Sequence, residues 1–108
     1  MRVTVFASGS TGNCALVQAG GERQLIDAGI SLRRLGGFLA AEGLSPSELS
    51  CVLVTHEHAD HVCGLSMLTK KHGTRVIAPR TVAARLRGML PGVEEIGRAH
   101  VRTPVTYA

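Results

Sequence analysis

The sequence predicts an α/β domain, and three features along the chain indicate that class. The first part alternates apolar and polar residues, which is typical of strands in a sheet with one buried face. The apolar spacing then changes to the period of an α-helix. The nearly continuous apolar run CVLVT (51–55) follows, as expected of a strand buried on both faces. A chain of 108 residues is long enough for one domain at most.

Three short strands are predicted at the start of the chain. RVTVFA (Arg2–Ala7) alternates and is rich in β-branched residues, and CALVQA (Cys14–Ala19) and RQLID (23–27) follow it. The turn cluster SGSTGN (8–13) separates the first two strands, and a Gly-Gly pair separates the second from the third. We therefore expect an antiparallel meander, with SGSTGN as a structural loop rather than a phosphate cradle.

Helical segments are predicted after the meander. Ser31 is suited to cap a helix that ends at Gly43 and places its apolar residues on one face. SPSE (45–48) combines a capping box with proline at the first helical position, so it predicts a short helical turn. A further short amphipathic helix is expected from Gly64 to His72.

The chain then continues with one more strand and one more helix. TRVIA (74–78) predicts the strand, and Thr81 is expected to cap a helix over 82–90. No internal repeat or linker interrupts this pattern, so these elements belong to one unit.

The last residues are predicted to have a different origin. The segment IGRAHVRTPVT (96–106) resembles one translated reading frame of a common DNA-sequencing adapter, with Arg102 in place of a stop codon. We therefore expect residues 1–95 to be the domain portion and 96–108 to be an adapter-derived, non-native tail. The alternative is an ordinary loop and strand. If the tail is adapter-derived, His100 has no meaning as a ligand.

Charge gives little information about partners. The net charge is +4, but Arg98 and Arg102 lie in 96–108, so the remaining 10 basic and 8 acidic residues leave +2. The other basic residues are dispersed and aromatic content is only 3%, so solvated surfaces are a better interpretation than a nucleic-acid interface.

No apolar run approaches the roughly 20 residues that a membrane span requires, and the N-terminus does not resemble a secretory signal. The three cysteines are odd in number and form neither a CxxC pair nor a disulfide framework. We therefore expect a cytoplasmic protein without a membrane partner.

The most informative stretch is THEHADH (55–61), at the expected end of the buried strand, which holds three of the five histidines. His56 and His58 alternate to the same side of the chain and can converge on one cation. Asp60 and His61 lie just beyond them and can reach a second cation nearby. Imidazole nitrogens suit zinc and related ions, and a carboxylate adds a harder ligand. Glu57 falls on the opposite side and is not expected to bind.

These motifs resemble the metallo-β-lactamase-fold hydrolase superfamily. The resemblance is carried, in order and spacing, by SGSTGN (8–13), LIDAG (25–29) and HEHADH (56–61). It implies a four-layer αββα fold of which this chain holds only the N-terminal portion. It also implies two divalent metal ions, with zinc expected and manganese as the alternative.

The same resemblance assigns roles to individual residues. It implies that His56 and His58 bind the first metal, that Asp60 and His61 bind the second, and that Asp60 also takes part in catalysis. It further implies that Asp27 is an outer-sphere carboxylate that steadies the ligand loop. A plain turn residue after a strand remains the alternative for Asp27.

The branch that this sequence resembles is bacterial and cytoplasmic and includes 5′→3′ DNA exonucleases. The resemblance therefore implies a di-metal phosphodiesterase or nuclease that uses a metal-bridging hydroxide, with DNA or a small phosphodiester as partner. The alternative enzyme is a thioester or lactone hydrolase of the same fold.

A third possibility concerns this chain alone. The family's remaining ligands lie downstream of the motif, where this chain has only His72, His100 and no aspartate. We therefore expect a non-catalytic metal-binding fragment with weak, single-metal binding. Half of a sandwich also leaves apolar surface uncovered, so we expect poor solubility or self-association.

Overall fold

A mixed six-stranded sheet organises residues 1–96, which are the residues that the computed structural model describes. The strands are β1 (Arg2–Ala7), β2 (Cys14–Ala19), β3 (Glu22–Ile26), β4 (Cys51–Leu53), β5 (Arg75–Ala78) and β6 (Glu94–Glu95). Their order in the sheet follows their order in the chain. The first three strands are antiparallel, and β3 to β6 are parallel. The predicted α/β class and the N-terminal meander are confirmed.

Four helices and one 3₁₀ turn connect the strands. They are α1 (Leu32–Ala41), the 3₁₀ turn (Pro46–Glu48), α2 (Ala59–Val62), α3 (Leu65–His72) and α4 (Arg80–Leu86). The predicted caps explain where α1 and the 3₁₀ turn begin. The Ser31 hydroxyl accepts the backbone N–H of Arg34 at 3.2 Å, and the Ser45 N–H donates to the Glu48 carboxylate at 2.8 Å.

Two strands end earlier than the sequence predicts. β3 ends at Ile26 because Asp27 has a φ of 63°, a left-handed conformation that cannot continue a strand. β4 ends at Leu53, before the predicted Thr55, because the Thr55 N–H donates to the side chain of Asp27 instead of to a neighbouring strand. The chain therefore leaves β4 for the loop that carries the histidines, and it leaves β3 for the segment that contacts that loop.

The predicted start and end of α4 are wrong. Thr81 does not cap this helix, which begins at Arg80 after an extended Pro79. The Pro79 carbonyl accepts the Ala83 N–H at 2.8 Å, so the first turn is already formed before Val82. The helix ends at Leu86 rather than at residue 90. The two-residue strand β6, which no periodicity could indicate, follows it.

The core lies between one face of the sheet and the helices. Leu16, Leu25, Val52 and Val76 form a row across β2 to β5, and each is at most 3% exposed. Leucines of α1 and α3 and the apolar face of α4 pack against this row. Burial of this apolar surface is the main source of stability for the helices, which are too short to be stable alone.

The opposite side of the sheet carries an exposed apolar patch at β1 and β2. This open face consists of Val3, Val5 and Val17, of which Val3 is 56% and Val5 is 62% exposed. Farther along the same side, Ile77 of β5 is only 2% exposed, so the exposed part is confined to the β1 side. Among residues 1–96, no helix is long and apolar enough to cross a membrane.

Two glycine substitutions test the backbone of α1. Gly37 lies within the helix, and a Cβ there would meet no neighbouring atom within 4 Å. Gly37→Ala is therefore expected to raise the free energy of unfolding by about 1 kcal/mol in urea denaturation. Gly43 has equally open surroundings but a φ of +75°. Gly43→Ala should lower that free energy by about 1–2 kcal/mol, and a shift of the same sign for both variants would contradict this account.

The open face predicts association between copies of the chain. Sedimentation velocity should show a mean mass that rises with concentration, because a contiguous apolar patch is seldom left in water. Val5→Lys is expected to shift the chain toward monomer. Met89→Lys is the control, since Met89 is 51% exposed but lies outside the open face. A monomer at all concentrations would rule out this association.

Candidate metal centre

Three loops meet where β3 and β4 end, and backbone hydrogen bonds join them. The Asp27 N–H donates to the Leu53 carbonyl, and the Ala28 N–H donates to the His61 carbonyl, both at 2.8 Å. The Asn13 N–H donates to the Asp60 carbonyl at 2.8 Å. The THEHADH segment is therefore fixed against both SGSTGN and the residues after β3.

The loops approach most closely at two glycines, where a Cβ would not fit. A Cβ on Gly29 would lie 1.8 Å from the Asp60 carbonyl oxygen. A Cβ on Gly64 would lie 2.1 Å from the Ile30 carbonyl oxygen. Both obstacles are backbone atoms, which cannot turn aside as a side chain can. Gly29, the last residue of LIDAG (25–29), is therefore required because the ligand loop lies so close to it.

Asp27 is the buried centre of this arrangement. Its residue is 5% exposed, and its Oδ1 accepts the Thr55 N–H at 2.7 Å. Its Oδ2 accepts the Thr55 hydroxyl at 2.7 Å and lies 2.8 Å from Nδ1 of His61. A buried carboxylate requires such donors, and all three come from the ligand loop.

This network determines which ring nitrogen of two histidines carries hydrogen. The Asp27 carboxylate only accepts, so Nδ1 of His61 is the protonated nitrogen. The single Thr55 hydroxyl hydrogen goes to Asp27, so the hydroxyl oxygen accepts from Nδ1 of His56 at 2.9 Å. In their neutral form both rings therefore present Nε2 as the lone-pair donor, the form in which imidazole binds a metal.

The four predicted ligands lie in one neighbourhood. The ring centroids of His56 and His58 are 6.3 Å apart, and those of His56 and His61 are 4.7 Å apart. Nε2 of His61 lies 3.6 Å from Oδ2 of Asp60. Imidazoles with an available Nε2 beside a carboxylate match the ligand types that zinc takes. Within residues 1–96, however, no three histidine, cysteine, aspartate or glutamate side chains are arranged to hold one ion.

Glu57 is engaged outside the cluster. Its carboxylate forms an ion pair with Arg85 of α4. A hydrogen bond from its own backbone N–H and the pairing with Arg85 hold the pKa of the Glu57 carboxyl below its usual value. The sequence contained no signal for this contact, because the two residues are far apart in the chain.

Three backbone amides of the SGSTGN loop already have acceptors. The Gly12 N–H donates to the Gly9 carbonyl, the Gly9 N–H to the Asn13 side chain, and the Asn13 N–H to Asp60. These three amides are therefore not free to bind a phosphate. A structural role for the loop is consistent with these contacts and stays a prediction.

Cys14, which follows this loop, is buried, and burial together with the nearby Asp27 charge raises the pKa of its thiol to about 12. Its thiol is therefore protonated at neutral pH and serves packing.

The best-formed clefts in residues 1–96 lie away from the histidines. One of about 300 Å³ is lined by Arg2 and the β2–β3 hairpin. Another of about 260 Å³ lies between the end of α3 and Pro91. Neither includes any of the four candidate ligands, so cavity shape does not indicate a substrate subsite.

Comparison with known proteins identifies the family. A family model described as the metallo-beta-lactamase superfamily matches residues 7–100. The chain belongs to this superfamily. The matched segment extends past the expected boundary at residue 95, and that boundary stays a prediction.

Individual relatives agree with this assignment. The chain is 35% identical over 77 residues to exodeoxyribonuclease WalJ of Streptococcus pneumoniae, covering 71% of this chain and 29% of that protein. It is 38% identical over 78 residues to exodeoxyribonuclease YycJ of Bacillus anthracis, covering 72% and 30%. The structure of a B3 metallo-beta-lactamase with an active-site glutamic acid matches with a TM-score of 0.65 and 28% identity, covering 79% and 32%.

These matches confirm the fold class. The chain spans about 30% of the length of the two exodeoxyribonucleases it resembles.

Substitution of Asp27 tests the role of its three contacts. Asp27→Asn removes an acceptor for His61 or Thr55 and should lower the free energy of unfolding by about 1–3 kcal/mol. Asparagine tolerates the left-handed backbone better than alanine does. Asp27→Ala should therefore lower the free energy of unfolding by about 1–2 kcal/mol more than Asp27→Asn. Urea denaturation measures both losses. Equal losses would show that backbone conformation makes no separate contribution.

Proposed function

We propose that residues 56–61 carry part of a di-metal active site and that the protein they belong to is a phosphodiesterase or nuclease. The proposed ligands are His56 and His58 for one ion and Asp60 and His61 for the other, with Asp27 as outer support. The observation that carries the proposal is the Asp27–Thr55 network, which leaves Nε2 of His56 and His61 available. A turn residue without a functional role would not need to orient two imidazoles.

The chemistry follows from the donor set. Divalent cations held there, with zinc expected and manganese as the alternative, lower the pKa of water to around 7 and stabilise negative charge that develops on the substrate. The residues of this chain hold the ligands in place. Asp27 and Thr55 fix the imidazole tautomers, and the Asp60 carboxylate supplies negative charge close to Nε2 of His61.

The similarity to two proteins named exodeoxyribonucleases supports DNA as the substrate. Arg75, Arg85 and Arg87 each form an ion pair with a glutamate, which reduces the positive charge that these three residues offer to a phosphate backbone. A small phosphodiester is the alternative substrate.

For the chain of 108 residues itself, we propose weak binding of a single ion and no useful turnover. Residues after His61 include His72 and His100 but no aspartate, so a second metal position lacks ligands of the required types. The chain also spans only about 30% of its exodeoxyribonuclease relatives.

We further propose a reducing compartment, the cytoplasm, for this protein. The support is that Cys14, Cys51 and Cys63 are all free thiols, and two of them are buried.

Metal binding is tested by calorimetric titration of the metal-free chain with Zn²⁺. The expected result is one weakly held ion at the position of Asp60 and His61, with affinity lowered at least about 10-fold in His61→Ala, because a ligand of that ion is lost. His72→Ala is the matched control and should leave affinity unchanged, since His72 lies in the last turn of α3, outside the cluster. Two tightly held ions would contradict the proposed binding of a single ion, and no binding would contradict the metal site.

Turnover is tested with a chromogenic phosphodiester and a thioester in the presence of Zn²⁺ or Mn²⁺. Neither should be hydrolysed above the rate of the metal ion alone. Hydrolysis of the phosphodiester would overturn the proposed inactivity of this chain. Hydrolysis of the thioester alone would favour a thioester or lactone hydrolase.

A further inference from the structure

We propose that Asn13 is a positioning residue that fixes the Asp60 carboxylate through its side-chain amide. The assignment rests on the metal site proposed above. In this role Asn13, the last residue of SGSTGN, positions the metal ligand Asp60 in addition to closing a turn.

The first step is the set of contacts between the two residues. Nδ2 of Asn13 donates to the Asp60 carbonyl oxygen at 3.0 Å and to Oδ2 of its carboxylate at 3.3 Å. The backbone N–H of Asn13 donates to the same carbonyl at 2.8 Å. Backbone and side chain of Asp60 are therefore held by one neighbour.

The second step is the orientation of the amide. The Gly9 N–H donates to Oδ1 of Asn13 at 3.2 Å, so the carbonyl end of the amide must face Gly9. Nδ2 also donates one of its two hydrogens to the Gly9 carbonyl at 2.9 Å, so the other hydrogen is shared between the carbonyl and Oδ2 of Asp60. The amide can therefore present only its N–H₂ end to Asp60, as a donor and never as an acceptor.

The third step is the backbone contact that holds Asn13 against Gly29. The Asn13 carbonyl accepts the Gly29 N–H at 2.9 Å, which ties Asn13 to the loop that follows Asp27. The same Gly29 lies against the Asp60 carbonyl, where a Cβ would not fit. Asn13 is thus held on two sides, so its amide cannot follow Asp60 if the carboxylate turns.

The consequence concerns the carboxylate of Asp60. Oδ2 accepts from Asn13 and lies 3.6 Å from Nε2 of His61, so Asn13 holds the carboxylate beside the ring nitrogen with which it would share a cation. A neutral amide holds the carboxylate without competing for the ion. A purely structural turn would need the contacts to Gly9 but not the contact to the Asp60 side chain.

The sequence offers internal controls for a direct test by NMR. Asn13 is the only asparagine, and Gln18 and Gln24 are the only glutamines, so three side-chain NH₂ pairs are expected. Gln18 and Gln24 lie within β2 and β3, away from Asp60. On titration with Zn²⁺, the Asn13 NH₂ pair should shift together with the imidazole signals. The two glutamine pairs should stay in place.

A double-mutant cycle separates positioning from general stability. Asn13→Ala should weaken Zn²⁺ binding about 10–100-fold, as loss of outer-sphere support does. In the Asp60→Ala background, the same change should have less than about a 2-fold effect, because its target is absent. Equal weakening in both backgrounds would show a merely structural role and overturn the assignment.

The NMR result distinguishes the two proposals. Shifted imidazole signals with an unmoved Asn13 pair would overturn the role of Asn13 and leave the metal site intact. Imidazole signals that do not respond to Zn²⁺ would overturn the metal site and, with it, the assignment of Asn13.

Discussion

The arrangement of the histidine loop depends on one buried carboxylate. Asp27 lies in a left-handed conformation at the end of β3, where it is desolvated and needs hydrogen-bond donors. The donors are the backbone and hydroxyl of Thr55 and a ring nitrogen of His61. The same contacts that satisfy the carboxylate therefore place the imidazoles. These contacts therefore contribute both to the stability of the fold and to the geometry of the site.

The surrounding loops reinforce that interaction by contact between backbones. Gly29 and Gly64 each leave space that a carbonyl oxygen of another loop occupies. Asn13 adds a side-chain amide directed at Asp60. The cluster is thus held from the side of β3 and from the side of β1. Its outer edge is linked to α4 through the exposed pair of Glu57 and Arg85, a kind of contact that contributes little to stability.

Sequence periodicity was sufficient for the elements that bury a regular face. The first three strands, α1 and α3 follow from alternation, helical spacing and caps, and the HxHxDH spacing indicated the candidate site. The start of α4 was missed because Pro79 and Thr81 are competing start signals, and packing selects the earlier one. The contacts of Asp27 with Thr55 and of Asn13 with Asp60 join residues distant in the chain, which no local pattern encodes.

The order of strands in the sheet has a consequence for synthesis. Each strand from β2 to β6 pairs with the strand made immediately before it, so the sheet grows at a single moving edge. The residues whose hydrogen bonds fix the histidine loop, from Gly9 to Gly64, precede β5 in the chain, and only the ion-pair partner of Glu57, Arg85, follows it. A ribosome-bound nascent chain thus contains the imidazole cluster and these hydrogen-bonding residues before β5 and β6 emerge.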